Sequence, residues 1–187
     1  MHQFRSNFIV LSAPSGSGKT TIAKMLVKKY KDLSISISAT TRPKRLLEEE
    51  GKDYFFLKKD EFIENIKKNN FLEYEEVHGY YYGTLKNRME KLLEQGKAII
   101  FDIDVKGALS IKNRFPEAIL LFIKPPSLKE LKARLNKRKS ENKEAITLRL
   151  ERINFEYEQA KYFDYEIIND NLPYTIKQIE NLILAVK

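Results

Sequence analysis

In the stretch "FIVLSAPSGSGKTTIAKMLVKKY", Phe8 to Tyr30, an apolar run stops at a turn made almost wholly of small residues, and a lysine and two threonines open the segment beyond. Asn7 to Ala13 reads as a buried strand, and Ile22, Met25, Leu26 and Tyr30 recur at helical spacing after the glycines. A turn with few side chains at a helix start leaves backbone N–H groups uncovered, and uncovered N–H groups there attract an anion. Ala13 to Thr20 fits small-x-x-x-x-Gly-Lys-Ser/Thr, with alanine standing where glycine is common. Alanine serves at a strand exit because the position needs small size rather than positive φ. In this pattern Gly16 and Gly18 let the backbone wrap a phosphate, Lys19 neutralises the outer phosphates of a nucleotide, and Thr20 offers its hydroxyl to Mg²⁺. Ala13, Pro14, Ser15, Gly16, Ser17, Gly18, Lys19, Thr20 and Thr21 are therefore the candidate seat of a nucleotide's phosphates, with Lys19 the cation that meets their charge. The bland alternative is a glycine-rich turn with a surface lysine.

Outward from this unit the chain alternates strands and helices. "LSISISATT" alternates with period two and predicts one strand, "YFFLK" another, and "DEFIENIKKN" a helix capped by Asp60. "FLEYEEVHGYYYGT" is strand-like with aromatics and turn glycines, and "LKNRMEKLLEQG" is a helix stopped by Gly96. "AIIFDID" and "AILLFIK" are fully apolar strands separated by a helical segment, and "YEIIND" precedes a closing helix. Apolar strands alternating with helices predict an α/β fold, a parallel sheet covered on both faces. Residues 34 to 84 break that rhythm and are expected to form an inserted lobe. The Lys- and Arg-rich residues 127 to 152 are expected to form a lid, leaving a core of approximately 1–33, 85–126 and 153–187.

A chain of 187 residues fits one domain. It has no cysteine, so disulfides and thiolate metal sites are excluded and a reducing, cytoplasmic home is expected. No apolar run reaches the length of a membrane span. The formal charge of +8 is spread among glutamates, which favours a solvated surface and a small phosphorylated substrate over a nucleic acid. Neither length nor composition decides between monomer and oligomer.

An acid at the end of a buried strand is the usual second part of a nucleotide site, able to orient the Mg²⁺ water shell, and Asp102 in "AIIFDID" is the candidate. A phosphate loop does not by itself separate a hydrolase from a kinase. In the inserted lobe Arg42 and Arg45 sit three apart near Tyr54, and "GYYYGT" adds tyrosine hydroxyls. Forked cationic donors with neutral hydroxyls form a clamp for a phosphate monoester. Each residue alone is equally well read as surface packing.

Taken in order, "SAPSGSGKTT", "SISATTR..R..E..GKDYFF", "FLEYEEVHGYYYGT", "DIDVKGA", "LFIKPPS", "RLNKR" and "IIND" resemble the landmarks of the guanylate kinase family over essentially the whole chain. The resemblance implies a P-loop nucleoside monophosphate kinase with a GMP-binding lobe and a helical lid. The implied reaction is ATP with GMP giving ADP and GDP, with Mg²⁺, and dGMP is a further expected acceptor, giving dGDP. It implies that Arg42, Arg45, Tyr54 and Tyr82 hold the GMP phosphate, and that Ser38, Glu73 and Asp104 read the base. Thr84 would add a hydroxyl to that pocket. The physics agrees, since guanine presents N1–H and N2–H₂ donors that a carboxylate matches, whereas adenine would leave the charge unpaired. Arg138 and Arg149 resemble catalytic lid arginines, with Arg134 a further candidate, and Asn169 resembles a residue beside the ATP adenine. The chain departs from the family at Leu46 and Leu47, expected to stiffen or shift the clamp beside Arg45, and at Lys106, where glutamine is frequent. A scaffold that binds a phosphopeptide, and a kinase for another acceptor, are the competing readings.

Overall fold

The computed structural model describes residues 3–14, 16–77, 79–127 and 153–185. Five parallel strands form the central sheet: β1 (Phe8–Ser12), β2 (Leu33–Ser36), β7 (Ala98–Asp102), β8 (Ile119–Lys124) and β9 (Tyr165–Ile168), in the order β2-β7-β1-β8-β9. The apolar strand β1 lies at the centre, where Leu11 faces Asp102 on one side and Leu121 on the other. Successive side chains of a strand point to opposite faces, so a strand apolar throughout needs cover on both. Ile9 and Leu11 pack with α1 (Lys19–Lys29) through Ile22, Ala23 and Leu26, and with α6 (Leu172–Ile183) through Ile176, Ile179 and Ile183. Phe8 and Val10 face α3 (Lys86–Glu94) through Met89 and α4 (Val105–Arg114) through Val105, Ala108 and Ile111. Residues 153–160, here α5, contribute Ala160 to that second layer. Burying each such aliphatic or aromatic side chain contributes about 1.5–3 kcal/mol.

A second sheet, β4-β3-β6-β5, rises beside the first. It consists of β3 (Ala39–Thr40), β4 (Phe55–Phe56) and the antiparallel hairpin β5 (Phe71–Val77) and β6 (Tyr80–Leu85). Helix α2 (Lys59–Lys67) covers it, and Phe62 stacks on Phe71 at 4.2 Å and on Tyr81 at 5.4 Å between centroids.

Two expectations change. The alternating run "LSISISATT" is not one strand: Leu33–Ser36 pairs with β7, and Ala39–Thr40 pairs with β4 and β6. A period of two requires an extended chain but does not say which sheet receives it, and a lobe limit at 34 falls inside a core strand. Of the residues at helical spacing from Ile22 to Tyr30, Ile22, Leu26 and Tyr30 are buried, Met25 lies at the edge, 40% exposed, and Ala23 is buried beside them. Asp60 is not the cap of α2, because Lys58 holds that place with extended backbone and Asp60 lies in the first turn, where its charge still meets the helix dipole. The expected lid lies almost wholly outside the described residues. No described helix is long and apolar enough to cross a membrane.

Candidate active site: a phosphate loop facing a carboxylate pocket

The loop between β1 and α1 turns through Gly16 at φ 89° and Gly18 at φ 91°, a region that side-chain-bearing residues rarely adopt. Gly18 is the N-cap of α1, and the first turn carries no acid, so the helix N-terminus keeps its partial positive charge for an anion. Lys19 crosses to the end of β7, donating to the Ile103 carbonyl at 2.8 Å and pairing with Asp102 Oδ1 at 2.9 Å. The Thr20 hydroxyl donates to Asp102 Oδ2 at 2.5 Å. Asp102 thus gathers both residues through its two oxygens. The Thr20 hydroxyl beside the Asp102 carboxylate is an all-oxygen donor pair of the kind a hard cation takes alongside phosphate and water oxygens.

Asn169 sits beneath this loop. It is buried, its side-chain amide donates to the Ser17 carbonyl at 2.8 Å, and its backbone N–H donates to the Lys124 carbonyl at 2.7 Å. A Cβ on Gly18 would lie 2.7 Å from the Asn169 amide nitrogen, so the loop and the end of β9 touch closely only because glycine stands there.

On the lobe, Arg42 lies over the Tyr54 ring at 5.4 Å, and the Tyr54 and Tyr82 rings meet at 5.9 Å. Arg42 Nη2 pairs with Glu48 Oε1 at 2.7 Å, while Glu48 Oε2 accepts the Arg45 backbone N–H at 2.8 Å. The Arg42 guanidinium holds the Glu48 carboxyl below its ordinary range. Burial raises the Tyr54 phenol, and the negative charge of Asp102 adds to the shift. Leu46 and Leu47 do not press on the clamp: they are 98% and 91% exposed, and the turn beside Arg45 is held by Glu48 instead.

On the hairpin Glu73 of β5 is buried, its Oε1 accepting the Thr84 hydroxyl at 2.7 Å from the facing strand. Burial pushes its carboxyl up to about 7; the Thr84 hydrogen bond opposes the shift and the charge of Asp104 adds to it. Asp104 caps α4, accepting from the Gly107 N–H at 2.9 Å. Ser38 is buried where the chain passes from β2 to β3.

The fold thus brings Lys19, Thr20 and Asp102 together, gathers Arg42, Tyr54 and Tyr82, and joins Glu73 to Thr84. Arg45 is exposed at the rim. Ser15, Arg134, Arg138 and Arg149 lie outside the described residues. The role of Glu48 has no local signal, since nothing in "LLEEEGKD" separates it from Glu49 and Glu50. The Asn169 bond to Ser17 spans 152 positions and has no local signal.

A family profile described as Guanylate kinase matches residues 5–186. A guanylate kinase of Clostridium perfringens (strain 13 / Type A) is 45% identical over 183 residues, covering 98% of this chain and 85% of the relative. One of Rickettsia felis is 47% identical over 177 residues, covering 95% and 92%. The crystal structure of guanylate kinase from Anaplasma phagocytophilum superposes with a TM-score of 0.77 at 30% identity, covering 94% of this chain and 82% of that one. A phosphate loop backed by Asp102, a facing arginine and tyrosine clamp, and these full-length likenesses lead to one conclusion: the chain belongs to the guanylate kinase family.

Proposed function

We propose that the protein transfers the γ-phosphoryl group of ATP to GMP, giving ADP and GDP. The observation that carries this reading is the tripeptide Asp102-Ile103-Asp104, which serves both sides of the cleft. Asp102 and the Ile103 carbonyl hold Lys19 of the phosphate loop, and Asp104 caps α4 beside the buried Glu73.

In this reading the backbone of Gly16 to Thr21 receives the ATP phosphates and Lys19 leaves its resting partners to meet their charge. Arg42, Arg45, Tyr54 and Tyr82 hold the acceptor phosphate, while Glu73, Asp104 and Ser38 accept from the donors on the guanine edge, with Thr84 orienting Glu73. A phosphate oxygen of GMP attacks the γ-phosphorus as the bond to the bridging oxygen of ADP breaks. The attacking oxygen is already anionic, so no general base is required and positioning with charge neutralisation carries the barrier reduction. Thr20 and Asp102 would hold Mg²⁺, which shields the charge of the transferring group. Arg138 and Arg149 complete the catalytic set in this proposal. Asn169 supports the phosphate loop from the adenine side. We place the reaction in the cytoplasm, in keeping with a cysteine-free chain.

The test is coupled ADP formation with GMP, AMP, CMP and UMP as separate acceptors, in wild type and in Glu73→Gln, with and without a Mg²⁺ chelator. Turnover confined to GMP, stopped by the chelator and weakened in the variant is the expected result. A folded protein that binds ATP but shows no GMP-dependent turnover would refute the proposal.

A further inference from the structure

Gly107 is buried in the first turns of α4, and its backbone is ordinary helix rather than the left-handed region. Conformation therefore does not call for glycine there, and alanine is the better helix former. What calls for it is space. A Cβ on Gly107 would lie 2.8 Å from Glu73 Oε2, 3.3 Å from Ile103 Cδ1 and 3.4 Å from Asp104 Oδ1. The first of these is closer than non-bonded atoms approach, the second asks the flexible end of Ile103 to give by a few tenths of an ångström, and the third is ordinary contact.

The atom in the way is the movable end of a side chain. Adding a methyl group would push the Glu73 carboxylate aside without disturbing the backbone of either element. That carboxylate is held on its other side by the Thr84 hydroxyl at 2.7 Å. Next to Gly107, Lys106 reaches over to β5 and pairs with Glu75 at 2.8 Å, two residues along from Glu73 and opposite Tyr82. The start of α4 is thus fastened against β5 at the point where Gly107 admits the carboxylate.

We infer that Gly107 is a positioning residue for the acceptor base: its missing side chain lets α4 close on β5 and fixes where Glu73 Oε2 points. The inference rests on the reading that Glu73 binds guanine. Alanine here would gain helix propensity and strain the buried Glu73–Thr84 hydrogen bond, two opposed effects of similar size, so affinity responds to the replacement far more than stability does.

The experiment compares wild type, Gly107→Ala, Glu73→Gln and the double variant, reading KM for GMP, KM for ATP and thermal midpoint. Gly107→Ala is expected to raise KM for GMP about tenfold, the effect of misaligning one charged hydrogen bond. KM for ATP should stay within about twofold and the thermal midpoint should move little, the helix gain offsetting the strained Glu73–Thr84 hydrogen bond. In the double variant the alanine should add nothing to the loss caused by Glu73→Gln, because the group it displaces is already disabled. An unchanged KM for GMP in Gly107→Ala, with Glu73→Gln impaired, overturns this inference alone. An unchanged KM for GMP in Glu73→Gln overturns the base-binding reading and the inference with it. Equal rises in both KM values, fully additive losses, or an unfolded Gly107→Ala chain would show that the glycine serves the fold and would likewise overturn the inference.

Discussion

The acceptor affinity should depend on pH through Glu73, and the size of the effect follows from its surroundings. The carboxyl is raised from an ordinary 4.5 to about 7, first by burial and then by the charges of Asp104 and Glu75, against the Thr84 hydrogen bonds. Guanine brings N–H donors, so GMP binds the ionised form and must displace a proton wherever the free protein holds one. For a group titrating near 7, KM for GMP rises about tenfold between pH 8 and pH 6. The GMP phosphate, with a second pKa of about 6, adds about twofold over the same range. Glu73→Gln keeps the phosphate contribution and loses the carboxyl one, so the difference between the two profiles isolates Glu73. Stability moves by the same linkage. Between 4.5 and 7 the folded protein holds a proton that the unfolded chain has released, so unfolding free energy falls as pH rises through that window and is level above it. The loss approaches about 3 kcal/mol at full ionisation and should be absent from Glu73→Gln. The assay is coupled turnover at five pH values with thermal midpoints alongside. Identical pH profiles for wild type and Glu73→Gln would refute the reasoning.

Other perturbations separate the parts of the cleft. Asn169→Ala removes the bond to the Ser17 carbonyl and should raise KM for ATP about fivefold with KM for GMP unchanged; equal changes in both would argue for a general loss of fold. Glu48→Gln removes the charge that orients Arg42 and should weaken GMP about fivefold while leaving inhibition by guanosine, which has no phosphate, unaltered. Phe62→Ala empties the centre of the small sheet's aromatic stack and should cost about 3–5 kcal/mol there. Hydrogen exchange should then speed up in β5 and β6 while β1 and β7 stay protected, and uniform loss of protection would contradict that localisation.

Local pattern carried far in this chain. The phosphate loop was legible because every constraint on it is short-range: a strand exit, glycines that accept positive φ, and a lysine at a helix start. The parallel sheet was legible because β1, β7 and β8 are apolar on both faces, which only a two-sided cover explains. Met25 lies at the half-exposed edge of the stripe that Ile22 and Leu26 bury; helical spacing marks a stripe and not its edge. The break in "LSISISATT" was hidden because Leu33–Ser36 and Ala39–Thr40 share one alternation but find partners in different sheets.

The sequence by itself determined the class of fold and the anion-binding turn, and its resemblance to a family pointed to the residues proposed for the acceptor. Only the tertiary structure decided how those residues hold one another. Lys19 meets Asp102 and Ile103 because β7 lies beside β1; Glu48 engages Arg42 because the turn folds back; and Glu73 becomes a carboxyl titrating near 7 because α4 closes over it at Gly107. The reason is physical. Spacing and polarity are properties of a segment, whereas burial, charge pairing and close approach are properties of surfaces brought together from distant parts of the chain.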